Sequence, residues 1–226
     1  KSFNYLIRII IVAMDIIAGK SVYPTEALAS NAGKYRPLGL GVTNLGGYLM
    51  SKGMAYGSQI AIDTTADILE NIRNVAWDTS RELCKSLGTN IPSFDGKSNW
   101  DFRNAQLTCA APTGTISFML DADTSGIEPD FALVKEKALI GGGTLKYMSQ
   151  SAIKALRKIT EEEMIPLDPI LDYIQANGTV CGPHLPEKYW PIFNCAICTN
   201  PLGEVTVQQH LDMLVAVQEN VDSGVS

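Results

Sequence analysis

Histidine is nearly absent: His184 and His210 are the only two in 226 residues. They support neither a Ser-His-Asp order nor a His-Glu-x-x-His pattern, so the usual signs of a hydrolase are missing. A basic excess is missing too. Eighteen Lys and Arg stand against 24 Asp and Glu, a net charge of −6, which argues against general binding to nucleic-acid phosphates because nothing is left to displace counterions. A small anion stays open, since it needs only a few local donors, backbone N–H groups among them. No apolar run is long enough for a bilayer. The most membrane-like stretch, Leu6 to Ile17, is interrupted by Arg8 and Asp15 and falls short of the roughly 20 residues a span needs. It reads as a buried helix, not a membrane anchor. Cysteine is limited to Cys84, Cys109, Cys181, Cys195 and Cys198. An odd number without a secretory leader points to free thiols or a metal site in a reducing, cytoplasmic setting. Internal repeats and low-complexity linkers are absent as well.

What is present is ordinary globular composition, 46% hydrophobic and 19% charged, enough for one large domain or two small ones. The chain opens directly on an apolar helix and closes on VDSGVS as another helix ends. Compact domains usually begin and end in polar segments, so the reading expects a piece of something longer. Residues 3–18 predict a helix apolar nearly all round. Tyr35 to Met50 carries four glycines, which imply tight backbone approach or turns between strand-like pieces. Ile62, Ala66, Leu69, Ile72, Ala76 and Leu83 predict a long amphipathic helix within 60–84.

Further along, 88–99 reads as a loop and 106–111 as a short buried strand. A possible strand follows the turn at Gly126–Pro129. After Gly141–Gly143 a helix is expected with Leu145, Met148, Ala152, Leu156 and Ile159 on one face. Asp168 and Pro169 suit an N-cap and a first-turn proline, and 190–198 reads as an apolar strand. Thr206 and Gln209 form a capping-box pair opening a last helix, with Val207, Leu211, Leu214, Val215 and Val221 inward and His210 on its polar side. Alternating strands and helices predict an α/β body.

The strongest chemical signal is APTGTISF, residues 111–118. A strand ending in Pro-Thr-Gly-Thr and then a helix places several N–H groups at a helix start, with small side chains and two threonine hydroxyls beside them. That suits a phosphate, although a plain Thr/Gly turn fits the same residues, and the P-loop lysine and Rossmann glycine pattern are missing. Asp121, Asp123 and Ser125 imitate half a calcium loop, but the position that needs a bidentate acid is Ala132. Cys181, His184, Cys195 and Cys198 have the chemistry of a zinc site. Against that, Cys195 and Cys198 fall in a predicted strand, where residues three apart face opposite ways. Lys135, Glu136 and Lys137 read as a solvated face.

Taken together, the segments fit one family. RPLGLGVTNLGGYLM at 36–50 resembles the RPLGLG…NLG stretch of ribonucleotide reductase catalytic subunits. RNAQLTCAAPTGTISFMLDADTSGIEP at 103–129 resembles their PTGTIS-type loop and SSGIEP-type turn. YPTEALA at 23–29, LVKEKALIGGG, the Gly-Pro-His184 piece, PIFNCA and HLDMLVAVQENVDSGVS resemble parts of the adenosylcobalamin-dependent class in the same order.

The resemblance implies part of a ten-stranded α/β barrel from its later half, one partial catalytic domain over 1–226, incomplete without companion segments. It implies reduction of a ribonucleoside di- or triphosphate by thiyl-radical chemistry, with adenosylcobalamin as cofactor and a thioredoxin-type reductant; the alternatives are an oxygen-dependent enzyme with a separate radical subunit and a non-catalytic nucleotide-binding module. It assigns the substrate's diphosphate to Pro112, Thr113, Gly114, Thr115, Ile116 and Ser117, and gives Gly126–Pro129 a shaping role nearby. The departures concern the chemistry. No Asn-x-Cys-x-Glu motif of the finger loop is present, the five cysteines match neither the radical cysteine nor the reducing pair, and the reductant-facing tail is missing. No catalytic residue and no metal ligand is therefore expected in this chain. Glu219, Asn220 and Asp222 also replace residues that are apolar in the family.

Overall fold

A computed structural model describes residues 1–89, 91, 101–138 and 141–226; most of the loop expected over 88–99 lies outside the described residues. The chain divides into two compact units, one of residues 1–41, 66–111 and 217–225, the other of 42–65, 112–216 and 226. The helices are α1 (Ser2–Lys20), α2 (Glu26–Tyr35), α3 (Leu45–Ser51), α4 (Gln59–Leu87), α5 (Gly114–Met119), α6 (Gln150–Glu163), α7 (Asp168–Asn177) and α8 (Val207–Gln218). Strands β1 (Val134–Ala138) and β2 (Thr144–Met148) lie between α5 and α6.

The first unit is built on α1, α2, most of α4 and three short extended segments. Leu40 bridges Thr108 in parallel, and Ala110 bridges Val225 in parallel. The strand expected over 106–111 is thus present as bridges, with Leu107, Thr108 and Ala110 buried. Asp222 fastens it: its carboxylate accepts the N–H of Leu107 and of Thr108, both at 3.0 Å, and the Trp77 indole N–H at 2.9 Å. The departure from the family's apolar residue at 222 therefore has a structural use. Gly41 is required by close packing, since a Cβ there would lie 2.3 Å from the Cys109 carbonyl oxygen.

α1 differs from expectation. Its length and composition would allow a membrane span, but its inward stripe is Ile7, Ile11 and Asp15, and Asp15 takes hydrogen bonds from Arg36 (2.6 Å), Arg103 (2.9 Å) and Asn104 (3.1 Å). Such a stripe belongs to a helix packed on protein. The rest of α1 is not buried as expected: Phe3, Tyr5, Leu6, Ile9, Ile16 and Ile17 are exposed. A helix apolar all round has no periodicity to say which face finds a partner.

The second unit's core joins Met50 and Leu133 to Ala152, Ala155, Leu156 and Ile159 of α6, Ile170 and Ile174 of α7, and Val180, Cys181, Leu185, Phe193 and Cys195. Three elements of this unit differ from the sequence expectation. Leu145 and Met148 belong to β2, which pairs antiparallel with β1 around Gly141–Gly143, all three at positive φ; α6 starts only at Gln150, so the glycine run closes a hairpin instead of introducing a helix. Residues Glu187–Phe193 form a 3-10 helix, not a strand, and Cys195 makes a single bridge to Glu204; Pro186 and Pro191 suit turns better than a ladder. Asp168 is already inside α7 and Leu167 stands at the N-cap, with Pro169 in the first turn.

At α8 the capping box is formed: Gln209 Oε1 accepts the Thr206 N–H at 2.8 Å and Thr206 Oγ1 accepts the Gln209 N–H at 3.3 Å. The expected inward face is not. Val207, Leu211, Leu214 and Val215 are exposed, and Met213, Ala216 and Val217 are buried along with Val221. Apolar residues occupy both sides of α8, and spacing alone does not choose between them. Thr206→Ala should lower stability by about 1 kcal/mol, read as a reduced urea midpoint with an unchanged m-value. A midpoint equal to wild type would mean the cap contributes nothing.

Candidate functional site

The loop that the sequence singles out lies in the second unit, at the start of α5. Thr113 is the N-cap and adopts a left-handed conformation (φ 49°, ψ 24°), which costs a β-branched residue of order 1–3 kcal/mol and needs support from its surroundings. Neighbouring hydroxyls and the Gly126 amide supply that support. Thr113 Oγ1 accepts the Gly126 N–H at 2.6 Å, and lies 2.9 Å from Thr43 Oγ1 and 3.3 Å from Ser117 Oγ. Ser117 Oγ donates to the Thr113 carbonyl at 2.6 Å and lies 2.9 Å from Thr43 Oγ1. Ser117 is buried, while Pro112, Gly114, Thr115 and Ile116 are exposed.

This geometry sorts the six expected residues into two groups. Thr113 and Ser117 turn their hydroxyls into the protein. Gly114, Thr115 and Ile116 face outward, and the first intrahelical bond runs from Ser117 N to the Thr113 carbonyl at 2.9 Å, so the three amides before it have no acceptor within the helix. No side chain caps them. A Cβ built on Gly114 meets nothing within 4 Å. The result is a small open patch of N–H donors with the Thr115 hydroxyl beside it, suited to an anion.

Two residues that sequence reasoning quoted but did not assign hold this loop. Thr43 closes the hydroxyl cluster. Asn44, also left-handed at φ 62°, accepts the Thr124 N–H at 3.1 Å through Oδ1. Asn tolerates that conformation because its short polar side chain bonds locally; an Asn next to the glycines of GVTNLGG was the available signal. Gly46 and Gly47 let the chain close up, since a Cβ at Gly46 would sit 2.4 Å from the Glu128 carbonyl oxygen. The Gly126–Pro129 turn is accordingly joined to the loop through Gly126.

The remaining candidates behave differently. Asp123, whose calcium-like spacing was set aside for want of an acid at Ala132, accepts the N–H of Gln150 (3.1 Å) and Ser151 (2.7 Å) at the start of α6. Lys135 is not on a solvated face: its ammonium lies 2.7 Å from the fully buried Asp130 carboxylate and donates to the Asp123 carbonyl at 2.6 Å. Burial pushes the Asp130 carboxyl above its usual range, and Lys135 offsets this only in part. Cys181 and Cys195 are buried, and burial pushes both thiols up. His184 is exposed and packs its ring edge-on to Tyr173 at 5.7 Å, and His210 is half-buried, its ring 6.0 Å from that of Tyr56. Among the described residues no group of three or more His, Cys, Asp or Glu is placed to hold a metal ion.

Comparison with known proteins extends this. The family model described as "Ribonucleotide reductase, barrel domain" matches residues 1–102 and 100–226. A vitamin B12-dependent ribonucleotide reductase of Rhodopirellula baltica is 34% identical over 99% of this chain, which covers 26% of that protein. One of Bradyrhizobium diazoefficiens is 30% identical over the whole chain, covering 30% of its own length. The chain thus spans little more than a quarter of these curated relatives. The solved Actinobacillus ureae class Id ribonucleotide reductase alpha subunit superposes with a TM-score of 0.70 at 22% identity, over 98% of this chain and 39% of that one, which supports the same fold. The expected α/β barrel is therefore present in part, and the chain belongs to the ribonucleotide reductase barrel-domain family.

Proposed function

We propose that this chain is one partial barrel domain, residues 1–226, of a cytoplasmic ribonucleotide reductase catalytic subunit, and that its own contribution is a length of barrel wall and the clamp for the substrate's phosphates. The observation that carries this is the open start of α5, where the Gly114, Thr115 and Ile116 amides face outward from a Thr113 held left-handed. The oxyanions of a ribonucleoside di- or triphosphate would accept from those amides and from the Thr115 hydroxyl, and the partial positive charge of a helix start would favour them. Fixing the phosphates orients the ribose for replacement of its 2′-hydroxyl by hydrogen, which is positioning, not bond-breaking.

Adenosylcobalamin, suggested by the vitamin B12 in the relatives' names, supplies the radical when bound. The cysteines described above do not fit as its reaction partner. Cys181 and Cys195 are buried in the core with raised thiols, and Cys109 Sγ is packed where a Cβ on Gly39 would come within 2.8 Å. No step through the cofactor is assigned to this chain. The radical cysteine, the reducing pair and the thioredoxin-facing tail belong, on this reading, to the rest of the subunit. The exposed apolar faces of α1 and α8 are where that remainder would pack.

A reduction assay with adenosylcobalamin and a dithiol tests the proposal, on this chain alone and assembled with the rest of its subunit. Activity only in the assembled sample is expected. Activity of the chain alone would overturn the assignment of the cysteines, and an inactive assembly would favour a reductase with a separate radical subunit or a plain nucleotide-binding module.

A further inference from the structure

The hydroxyl cluster behind the phosphate loop assigns a role to a residue outside it. Its protons can be counted. The Ser117 hydroxyl proton is committed to the Thr113 carbonyl at 2.6 Å, so toward its neighbours Ser117 Oγ can only accept. Thr113 Oγ1 already accepts the Gly126 N–H at 2.6 Å. Two protons remain, those of Thr43 and Thr113. Both 2.9 Å contacts of Thr43 are satisfied at once when Thr43 donates to Ser117 and accepts from Thr113.

We infer that Thr43 is a positioning residue for phosphate binding: it holds the Thr113 side chain inward and thereby keeps the Gly114, Thr115 and Ile116 amides aimed at the ligand. The inference rests on the phosphate-binding reading above. Thr43 itself does not touch the ligand. With the Thr113 hydroxyl occupied by Thr43 and Gly126, the phosphate is recognised by backbone N–H groups and by Thr115. Thr43 comes from the loop before α3, 70 residues from Thr113 in sequence, so two distant loops define one site.

The test uses the assembled reductase, with ribonucleotide KM and kcat and competition by inorganic pyrophosphate as readouts. Thr43→Val keeps the branched shape and removes the hydroxyl. It should raise KM and weaken pyrophosphate inhibition together, by about fivefold to tenfold for one or two hydrogen bonds of ordinary strength, with kcat nearly unchanged. Thr43→Ser should restore both. Thr43→Cys, a weaker donor of similar size, takes the place of the valine variant if that does not fold and should give a smaller change in the same direction. Unchanged KM in Thr43→Val, or failure of serine to rescue it, overturns the role of Thr43. Gly114→Val separates the two readings. If it raises KM while Thr43→Val does not, only the inference falls; if neither does, the phosphate loop falls with it.

Discussion

Gly114→Val in the assembled reductase is expected to raise ribonucleotide KM by about 10- to 100-fold while kcat stays close to wild type. The fold tolerates the change. Gly114 does not need a positive φ, and a Cβ there meets no protein atom within 4 Å. The isopropyl group would stand in the space over the amides of residues 114–116, which the phosphate is proposed to fill. Displacing it forfeits hydrogen bonds to a charged ligand worth about 1.5–3 kcal/mol each. Losing one such bond corresponds to the stated factor, at about 1.4 kcal/mol per tenfold. Phosphate contacts are equally present in ground and transition states, so their loss is felt in KM. Gly114→Ala, with a single methyl, should produce a smaller rise. If both variants bind substrate like wild type, the amides of α5 are not the clamp.

Much of the site was legible because it is local. A strand end, Pro-Thr-Gly-Thr and a helix start are consecutive in sequence, and the chemistry of consecutive N–H groups follows from that order. The division of labour within the loop was not legible. Which hydroxyls turn inward depends on Thr43 and Gly126, residues separated from Thr113 by 70 and 13 positions, and no spacing rule connects them. Lys135 was misread because Glu136 and Lys137 beside it are charged, whereas its own partner is the buried Asp130 carboxylate, and burial is not written in the charge pattern.

The fold divides along similar lines. α4 was readable because its apolar residues keep one period over many turns, and the capping box of α8 because both members lie within four residues. α1 and α8 carry apolar residues on more than one side, and only tertiary packing decides which side is covered. The β1–β2 hairpin was missed because Leu145 and Met148 are spaced three apart, a helical interval, and three successive glycines are an unusual hairpin turn. The family resemblance located the segments, yet it gave no account of Asp222, whose carboxylate does in this chain what an apolar side chain cannot.

The largest expected loss of stability comes from Asp15→Ala. Asp15 is buried in α1 between Arg36, itself a left-handed residue closing α2, and Arg103, with Asn104 bonded both to it and to the Arg36 carbonyl. Removing the carboxylate leaves two guanidinium groups uncompensated in a mostly buried setting, a change that costs about 3–5 kcal/mol in domains whose total stability is about 5–15 kcal/mol. Burial by itself would raise the Asp15 pKa, but the hydrogen bonds from Arg36, Arg103 and Asn104 outweigh it and hold the carboxyl below its usual value of 3.8. The sign of the pH effect follows. A carboxyl depressed in the folded state contributes its full stability above its unfolded pKa and loses it as the pH falls through the folded value. Wild type should therefore lose more stability than Asp15→Ala as the pH falls below about 4. Asp130, whose carboxyl is pushed up, contributes the opposite slope, and taking the difference between wild type and variant removes it. Urea unfolding across that range decides the matter. Parallel pH profiles, or a variant within about 1 kcal/mol of wild type at neutral pH, would show that the α1 carboxylate is not what ties α1 to the rest of its unit.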